Sequence, residues 1–510
     1  MSELPKGWVS TDLGSVVDYG KTFKADLDTT SGETWVLELE DIEKDSSKLL
    51  KRCSFEQRQP KSSKNSFDKG DVLYGKLRPY LNKMLIAPEE GICTTEIVPL
   101  KTNSELFESR FLFYWLKGRQ FGDYVNAVSY GVNMPRLGTK DGKKAPMVVA
   151  PLLEQKRIVE KLDEALAQVD TIKVRLDSIP NLLKRFRQSV LASAVSGKLT
   201  EEWRLGKSFS IDLELDAINQ SRKRLYASDN SEHFQKTGKN LRKYDYSTLE
   251  EVPEPRSIPD SWKLIQLGEV VSFLTDYHAN GSYEVLKEHV ELKDSEDYAC
   301  MIRATNFEKN NFEDLFVYIS KNAYEFLGKS KLYGKEILIG KIGNAGSVYF
   351  MPELNRPASL AMNLFALRFD EQLVSPEYLY MYMKSFIGES NIQKYVRGVA
   401  TKSIDKKSVR SVFINYPPHE EQKEIVRLVD QYFAFADSIE AQVKKAQAKV
   451  DNLTQSILAK AFRGELVPQD PNDESADKLL ERIAKAREEA GALAKAAKKV
   501  QAAKKRAEKA

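Results

Sequence analysis

Apolar residues recur in alternating steps of four and three along two stretches of this chain. The first runs Ile158, Leu162, Ala165, Val169, Ile172, Leu176, Ile179, Leu183, Phe186, Val190. The second runs Ile425, Val429, Tyr432, Ala436, Ile439, Val443, Ala446, Val450, Leu453, Ile457, each 267 positions after its counterpart (425 − 158 = 267). A stripe this narrow and sustained, with charged residues between its steps, predicts a long coiled-coil helix rather than an ordinary surface helix. Two such helices, matched in length and phase, are expected to pair with each other; the alternative is that each seam packs on its own globular neighbour. Pro180 interrupts the first stripe, but the register continues past it, which predicts a bend rather than an end. Gln447 stands at the equivalent place, so the second helix is expected to be straighter.

The repeat extends beyond the stripes. Glu154-Gln155-Lys156 returns as Glu421-Gln422-Lys423, Gln188-Ser189 as Gln455-Ser456, and Gly197 as Gly464, all at the same offset. Near the start, Leu4-Pro5-Lys6-Gly7-Trp8 and Leu13-Gly14 are echoed by Ile258-Pro259-Asp260-Ser261-Trp262 and Leu267-Gly268, at an offset of 254 (262 − 8). The second globular part has therefore gained a net 13 residues (267 − 254) on a shared scaffold. In both parts, β-branched and aromatic runs broken by turn residues, such as Asp71–Leu77 and Glu336–Ile342, read as strand, glycine turn, strand. A helical pattern follows at Phe111–Lys117 and Tyr378–Lys384. Then come polar loops, Gly131-Val132-Asn133-Met134-Pro135-Arg136-Leu137 and Gly398-Val399-Ala400-Thr401-Lys402-Ser403-Ile404, and an apolar strand that ends at proline before each long helix. The expected fold class is mixed α/β with an internal pseudo-two-fold repeat. Its segments are globular parts at 1–152 and 258–416, long helices at 153–204 and 417–466, a linker with one short helix at 205–257, and a Lys/Ala-rich tail at 467–510, whose last stretch, Ala494–Ala510, has high helix propensity but no apolar stripe and is expected to be a solvated or frayed helix. Leu480-Glu481-Arg482-Ile483, ahead of Ala494, faintly echoes Leu215-Asp216-Ala217-Ile218.

Composition changes this picture little. At 510 residues the chain is too long for one core. The Met-Ser-Glu start carries no signal segment and no run is long enough to span a bilayer, so a cytoplasmic protein without a membrane partner is expected. Three cysteines, Cys53, Cys93 and Cys300, form no CxxC pair, which argues against a disulfide framework or a zinc site. A net charge of +4 permits nucleic-acid binding without demanding it.

The candidate chemistry is recognition rather than catalysis. No phosphate-binding G-x-x-x-x-G-K-[ST] loop is present, and Ser196-Gly197-Lys198 only resembles its end. His278 and His289 lack metal-ligand spacing, so neither catalytic nor metal residues are assigned. The positive signal is basic and amide residues clustered with turns in both halves. In the first these are Lys76, Arg78, Tyr80, Asn82, Lys83, Asn133, Arg136 and Lys140; in the second, Arg303, Asn306, Lys341, Asn344, Arg397, Lys402, Ser403 and Lys406. Arginine and lysine suit guanine edges and phosphates, and asparagine suits adenine. Singly, each is more often a solvated group; recurrence at matching places favours DNA contact.

On the paired Glu-Gln-Lys helices, the Leu/Ile-Pro-x-x-Trp starts and Leu73-Tyr74-Gly75-Lys76-Leu77-Arg78-Pro79-Tyr80-Leu81-Asn82-Lys83, the chain resembles the specificity subunits of type I restriction-modification systems, called HsdS. That resemblance implies two target recognition domains separated by two long antiparallel helices, with no active site. It implies double-stranded DNA as ligand; because the two halves share a scaffold but not loop sequence, the target is expected to be asymmetric and bipartite, with a gap set by the length of the helices. It also implies two methyltransferase subunits and the restriction subunits as partners; S-adenosylmethionine, ATP and magnesium would belong to those partners, with no cofactor in this chain. Gln188, Ser189, Gln455 and Ser456 are the expected docking places, because identity between the copies persists there on and off the seam. The rival interpretation is a structural adaptor with two protein-binding domains on a coiled-coil spacer; an enzyme with an unrecognised site in one domain is a third.

Overall fold

The computed structural model describes residues 4–241 and 258–507, and in it each heptad stretch is one continuous helix of 44 residues, Leu152–Val195 and His419–Phe462. Proline enters both, as Pro151 and as Pro417-Pro418. Pro180 removes one backbone donor, yet the first helix continues through it. The expected 153–204 helix stops at Val195, and Glu201–Arg204 forms a separate turn of helix.

The recurring Glu-Gln pair has a structural cause. The Gln155 side-chain amide donates to the Ala150 carbonyl (2.8 Å) and its oxygen accepts from the Glu108 backbone N–H (3.1 Å). Gln422 repeats both bonds, to Pro417 O (2.8 Å) and from Ser375 N–H (2.9 Å). Each glutamine is fully buried, so it fastens the start of its long helix to the start of the nearby domain helix, Ser109–Lys117 or Pro376–Lys384. Trp8 Nε1 donates to Glu154 (3.0 Å). Glu421 instead accepts from Thr200 Oγ1 (2.6 Å) and pairs with Arg204, so this part of the repeat has diverged.

The chain divides into two compact units, residues 1–177 with 443–510 and residues 178–442, a division that falls inside both long helices. In the first unit Lys173 pairs with Asp451 (3.0 Å) and Gln447 donates to Asp177 (2.9 Å). Rising numbers on one helix meet falling numbers on the other, which makes the pairing antiparallel. In the second unit Arg187 reaches Glu440 (3.2 Å) and Asp437 (2.6 Å), while Thr200, just beyond the helix, meets Glu421. The order is again antiparallel.

The seam is only partly as expected. Ile158, Leu162, Val169, Leu183 and Val190 are buried, as are Ile425, Val429, Ala436 and Val443. Ile172, Tyr432 and Leu453 are not, at 42%, 40% and 41% exposed. The outer steps Ile158 and Leu162, and Ile425 and Val429, belong to the cores of the globular parts. Between them a helix pair covers each side chain from one side only, and a strict heptad drifts by about 20° per repeat against a straight helix. Positions at the margin of the contact line therefore face solvent.

In the first unit, Val9–Asp12 pairs antiparallel with Pro146–Val149, tying the Trp8 start to the strand that feeds the long helix. A four-stranded sheet, ordered Phe23–Lys24, Lys64–Phe67, Gly91–Thr94, Trp35–Leu37, and an antiparallel three-stranded sheet, Met84–Ile86, Val72–Gly75, Ile97–Leu100, complete this part. In the second unit, Lys263–Gln266 pairs with Phe413–Tyr416. Two four-stranded sheets follow, one of them Phe273–Asp276, Leu364–Arg368, Ile337–Gly340, Val348–Phe350. This part also carries the short helices Tyr283–His289 and Lys321–Phe326, which close a satellite core around Leu286, Met301 and Tyr324.

The repeated glycines and prolines meet. Gly197 has φ +79°, and a Cβ there would stand 2.4 Å from Pro259 Cγ; Gly464 has φ +73°, and its Cβ would stand 2.3 Å from Pro5 Cγ. The end of each long helix region thus packs against the start of the globular part in its unit, at a conformation and spacing open only to glycine.

One further expectation needs correction. The linker helix is not short: Ile211–Thr237 spans 27 residues. The C-terminal helix, Ala476–Ala507, begins well ahead of the stretch expected to be solvated, and there Ala476, Leu479 and Ile483 are buried in the first unit's core. Leu215, Ile218 and Arg222 correspond to Leu480, Ile483 and Arg487 at an offset of 265 (487 − 222). The correspondence is physical: Arg222 donates to the Glu269 carbonyl (2.6 Å), and Arg487 to the Gly14 and Ser15 carbonyls (2.8 and 3.0 Å). Gly14-Ser15 and Gly268-Glu269 are themselves repeat partners, so one clamp is built twice. Its signal in the sequence was faint because a helix that rests on a ready-made surface needs few apolar residues. Residues 1–3, 242–257 and 508–510 lie outside the described residues, as do most side chains of the Lys/Ala tail beyond Leu493 and with them the expectation that it lacks an apolar stripe.

Candidate nucleic-acid interface

Backbone hydrogen bonds join the two candidate loops of each unit into one edge. In the first unit, Arg78 N–H donates to Pro135 O (2.7 Å) and Leu137 N–H to Lys76 O (3.0 Å). In the second, Gly343 N–H donates to Lys402 O (3.0 Å) and Ile404 N–H to Lys341 O (3.1 Å). The later loop of each pair is a small closed finger: Tyr130 and Arg136 exchange both backbone bonds (3.2 and 2.9 Å), as do Arg397 and Ser403 (2.9 and 2.8 Å). Segments about 60 residues apart in sequence thus form the same construction twice.

Local sequence sets the turns. Arg78 and Asn82 flank the Pro79–Leu81 turn in left-handed conformation, φ +48° and +49°, a region that asparagine tolerates better than most residues. Asn82 therefore has a backbone reason to be present, whatever it contacts. Gly131 (φ +109°) and Gly398 (φ +99°) open the fingers; a Cβ on them would approach Met134 O to 3.0 Å and Thr401 O to 2.3 Å.

The candidate side chains fall into three groups. Arg78, Tyr80, Asn133 and Lys140 in the first unit, and Asn344, Arg397, Lys402 and Ser403 in the second, are exposed along these edges. A second group is half-buried and largely engaged. Arg136 pairs with Glu96 through two nitrogens (3.1 and 3.3 Å), Lys83 donates to the Leu39 carbonyl (2.8 Å), and Arg303 to the Leu315 carbonyl (3.2 Å). Lys341 and Lys406 both bind Asp276 (2.7 and 2.6 Å). Lys76 and Asn82 are half-buried as well. The third group is Asn306 alone, which is fully buried and donates to the Asn311 and Leu315 carbonyls (3.2 and 2.9 Å). Its expected role as a DNA contact is corrected: it holds its own loop together and is closed to any ligand. Among the docking candidates, Gln188, Ser189 and Ser456 are exposed, while Gln455 is half-buried and donates to the Lys117 carbonyl of its own unit (3.2 Å).

Inspection of the sequence missed the counter-charges Glu96 and Asp276. Asp276 precedes its lysines by 65 and 130 positions, and nothing local marks it. Burial pushes its carboxyl up, but hydrogen bonds from Lys341 and Lys406 more than reverse this and leave it below its ordinary 3.8. A lowered carboxyl contributes stability that is present above the unfolded value and lost as pH falls through the folded one. The second unit is therefore expected to lose stability below about pH 4, and Asp276→Asn should flatten that part of the profile. Thermal midpoints measured from pH 3 to 7 check this; parallel curves for the two proteins would contradict it.

The chain is similar to known proteins over most of its length. A family model described as the type I restriction modification DNA specificity domain matches residues 5–181 and 259–448. The specificity subunit of the type I restriction enzyme EcoBI from Escherichia coli is 31% identical over 413 residues, which is 79% of this chain and 77% of that protein. The EcoKI specificity subunit of Escherichia coli strain K12 is 31% identical over 388 residues, 74% of this chain and 72% of that one. Among solved structures, the HsdS subunit from Thermoanaerobacter tengcongensis superposes with a TM-score of 0.57 at 20% identity, covering 91% of this chain and 98% of that one. A chain from a structural study of assembly and conformational transition in a type I R-M system gives 0.62 at 20% identity, covering 91% and 100%. At these identities the two structures speak for the fold alone.

Proposed function

The chain belongs to the type I restriction-modification DNA specificity family, and on that premise we propose that it reads a bipartite, asymmetric DNA sequence, one half with each unit. The observation that carries this is the paired-loop edge, built alike in both units from loops that differ in sequence. A shared scaffold with different exposed side chains suits two related acts of recognition aimed at different base sequences. The exposed basic groups, Arg78 and Lys140 in one unit and Arg397 and Lys402 in the other, would position phosphates, and the amides and hydroxyls beside them would meet base edges.

The chain has no catalytic role in this proposal. Methyl transfer and cleavage fall to partner subunits that carry S-adenosylmethionine, ATP and magnesium. Two methyltransferase subunits would dock, one on each copy of the repeat, near Gln188-Ser189 and Ser456. Among the described residues no helix is long and apolar enough to cross a membrane.

Purified alone with target DNA and S-adenosylmethionine, the full chain is expected to transfer no methyl groups. Combined with the methyltransferase of its host, it is expected to form a two-to-one complex by mass and to methylate a gapped sequence. DNA affinity should fall steeply with salt as counterions are released. Methylation by the chain alone, or a one-to-one complex, would overturn the corresponding part of the proposal.

A further inference from the structure

Val132 and Val399 occupy the same place in the repeat (399 − 132 = 267), each directly after the glycine that opens a finger. They are also the two most exposed large apolar residues among the described ones, at 100% and 102%. Scattered exposed apolar side chains are ordinary on a protein surface. These two differ because the backbone is built to present them. A pair of backbone hydrogen bonds closes each finger at its base, and a glycine at φ near +100° turns the chain outward where any side chain would strike the opposite carbonyl. The apolar tip is kept in both copies although the following residues change from Asn133-Met134 to Ala400-Thr401.

Held in water, such a tip contributes nothing to folding; seated against apolar surface it contributes in proportion to the area covered. The tips differ in their surroundings: Asn133 and the exposed Tyr130 and Met134 (61% and 44%) flank one, Arg397 and Lys402 the other. What the two copies share is a short apolar tip on an edge that also carries exposed basic groups, Arg78 in one unit and Arg397 and Lys402 in the other, and this pairing fits a nucleic acid better than a hydrophobic protein face. On double-stranded DNA the one apolar group a base edge offers is the 5-methyl of thymine in the major groove. Residues that wedge between base steps are longer or more rigid. Valine is too short to unstack a step but can cover a methyl group.

We propose that Val132 and Val399 are specificity-determining residues, each contacting the 5-methyl group of a thymine, one in each half of the target. This rests on the reading of the chain as a bipartite DNA-recognition subunit. The test uses the full chain with its methyltransferase subunits and a library of random duplexes, from which bound sequences are selected. Val132→Ala should lower discrimination at a thymine position in one half-site by about five- to tenfold, Val399→Ala should do so in the other half-site, and the opposite half should stay unchanged in each case. Val132→Thr keeps the shape but replaces one of the two methyls by a hydroxyl, and should fall between valine and alanine. In the selected duplex, replacing that thymine by uracil should weaken the wild-type complex by the same factor and leave the Val132→Ala complex unaffected. Both side chains are fully exposed, so unaltered thermal midpoints will show that the variants fold. If the wild-type complex selects no gapped sequence, the bipartite reading itself fails. If it does, but the variants keep every preference, lose affinity equally for all sequences, or respond to uracil as the wild type does, the tips do not read thymine and the proposal falls.

Discussion

Val169→Asp is expected to destabilise the first unit by about 3–5 kcal/mol, the cost of an uncompensated buried charge. Val169 is 3% exposed on the contact line of the helix pair. The lysine one turn on, Lys173, is already engaged with Asp451. Its repeat partner Ala436 is fully buried in the second unit, and Ala436→Asp should cost that unit at least as much, since it adds volume as well as charge. Ile172→Asp, at a position the heptad pattern marks equally, should stay within about 1 kcal/mol because the side chain is 42% exposed. Chemical denaturation of the three variants separates an apolar seam from one held by surface ion pairs such as Arg187–Asp437, which contribute roughly 0–1 kcal/mol each. Equal stabilities at positions 169 and 172 would show that the seam is not what holds the pair.

Ile483→Asp and Ile218→Asp should each loosen one globular part and spare the other. Ile483 is 5% exposed in the core of the first unit and Ile218 is 1% exposed in the core of the second. An aspartate at either place loses the burial of a large side chain, about 1.5–3 kcal/mol, and adds the cost of desolvating a carboxylate. Hydrogen exchange followed by peptide mapping reads the effect. Protection should fall in the strands between Val9 and Val149 for the first variant, and in those between Lys263 and Tyr416 for the second. A tail helix that is only an appendage would leave the first region untouched, and that result would show that the terminal helix does not support the core.

The periodicity alone determined that there are two long helices, where proline starts them, and that the chain is one design used twice. It could do so because these properties are written in local, repeating signals: a 3.5-residue stripe, a proline, a Glu-Gln pair. The exposed part of the candidate edge was legible as well, since Arg78, Lys140, Arg397 and Lys402 stand next to glycine turns. What the tertiary structure alone decided is which of those groups remain available. Asn306 and Arg303 look like their neighbours in sequence, yet one is sealed in the core and the other bonds a carbonyl twelve residues away. Arg136, Lys341 and Lys406 are claimed by Glu96 and Asp276, carboxylates brought beside them by strand pairing across tens of residues. The structure also decided that the two polar loops of each half are one edge, that valine stands at its tip, and that the faint echo between linker and terminal helices is one clamp built twice. Burial and long-range pairing depend on where distant segments meet, and a pattern read along the chain carries no information about that distance.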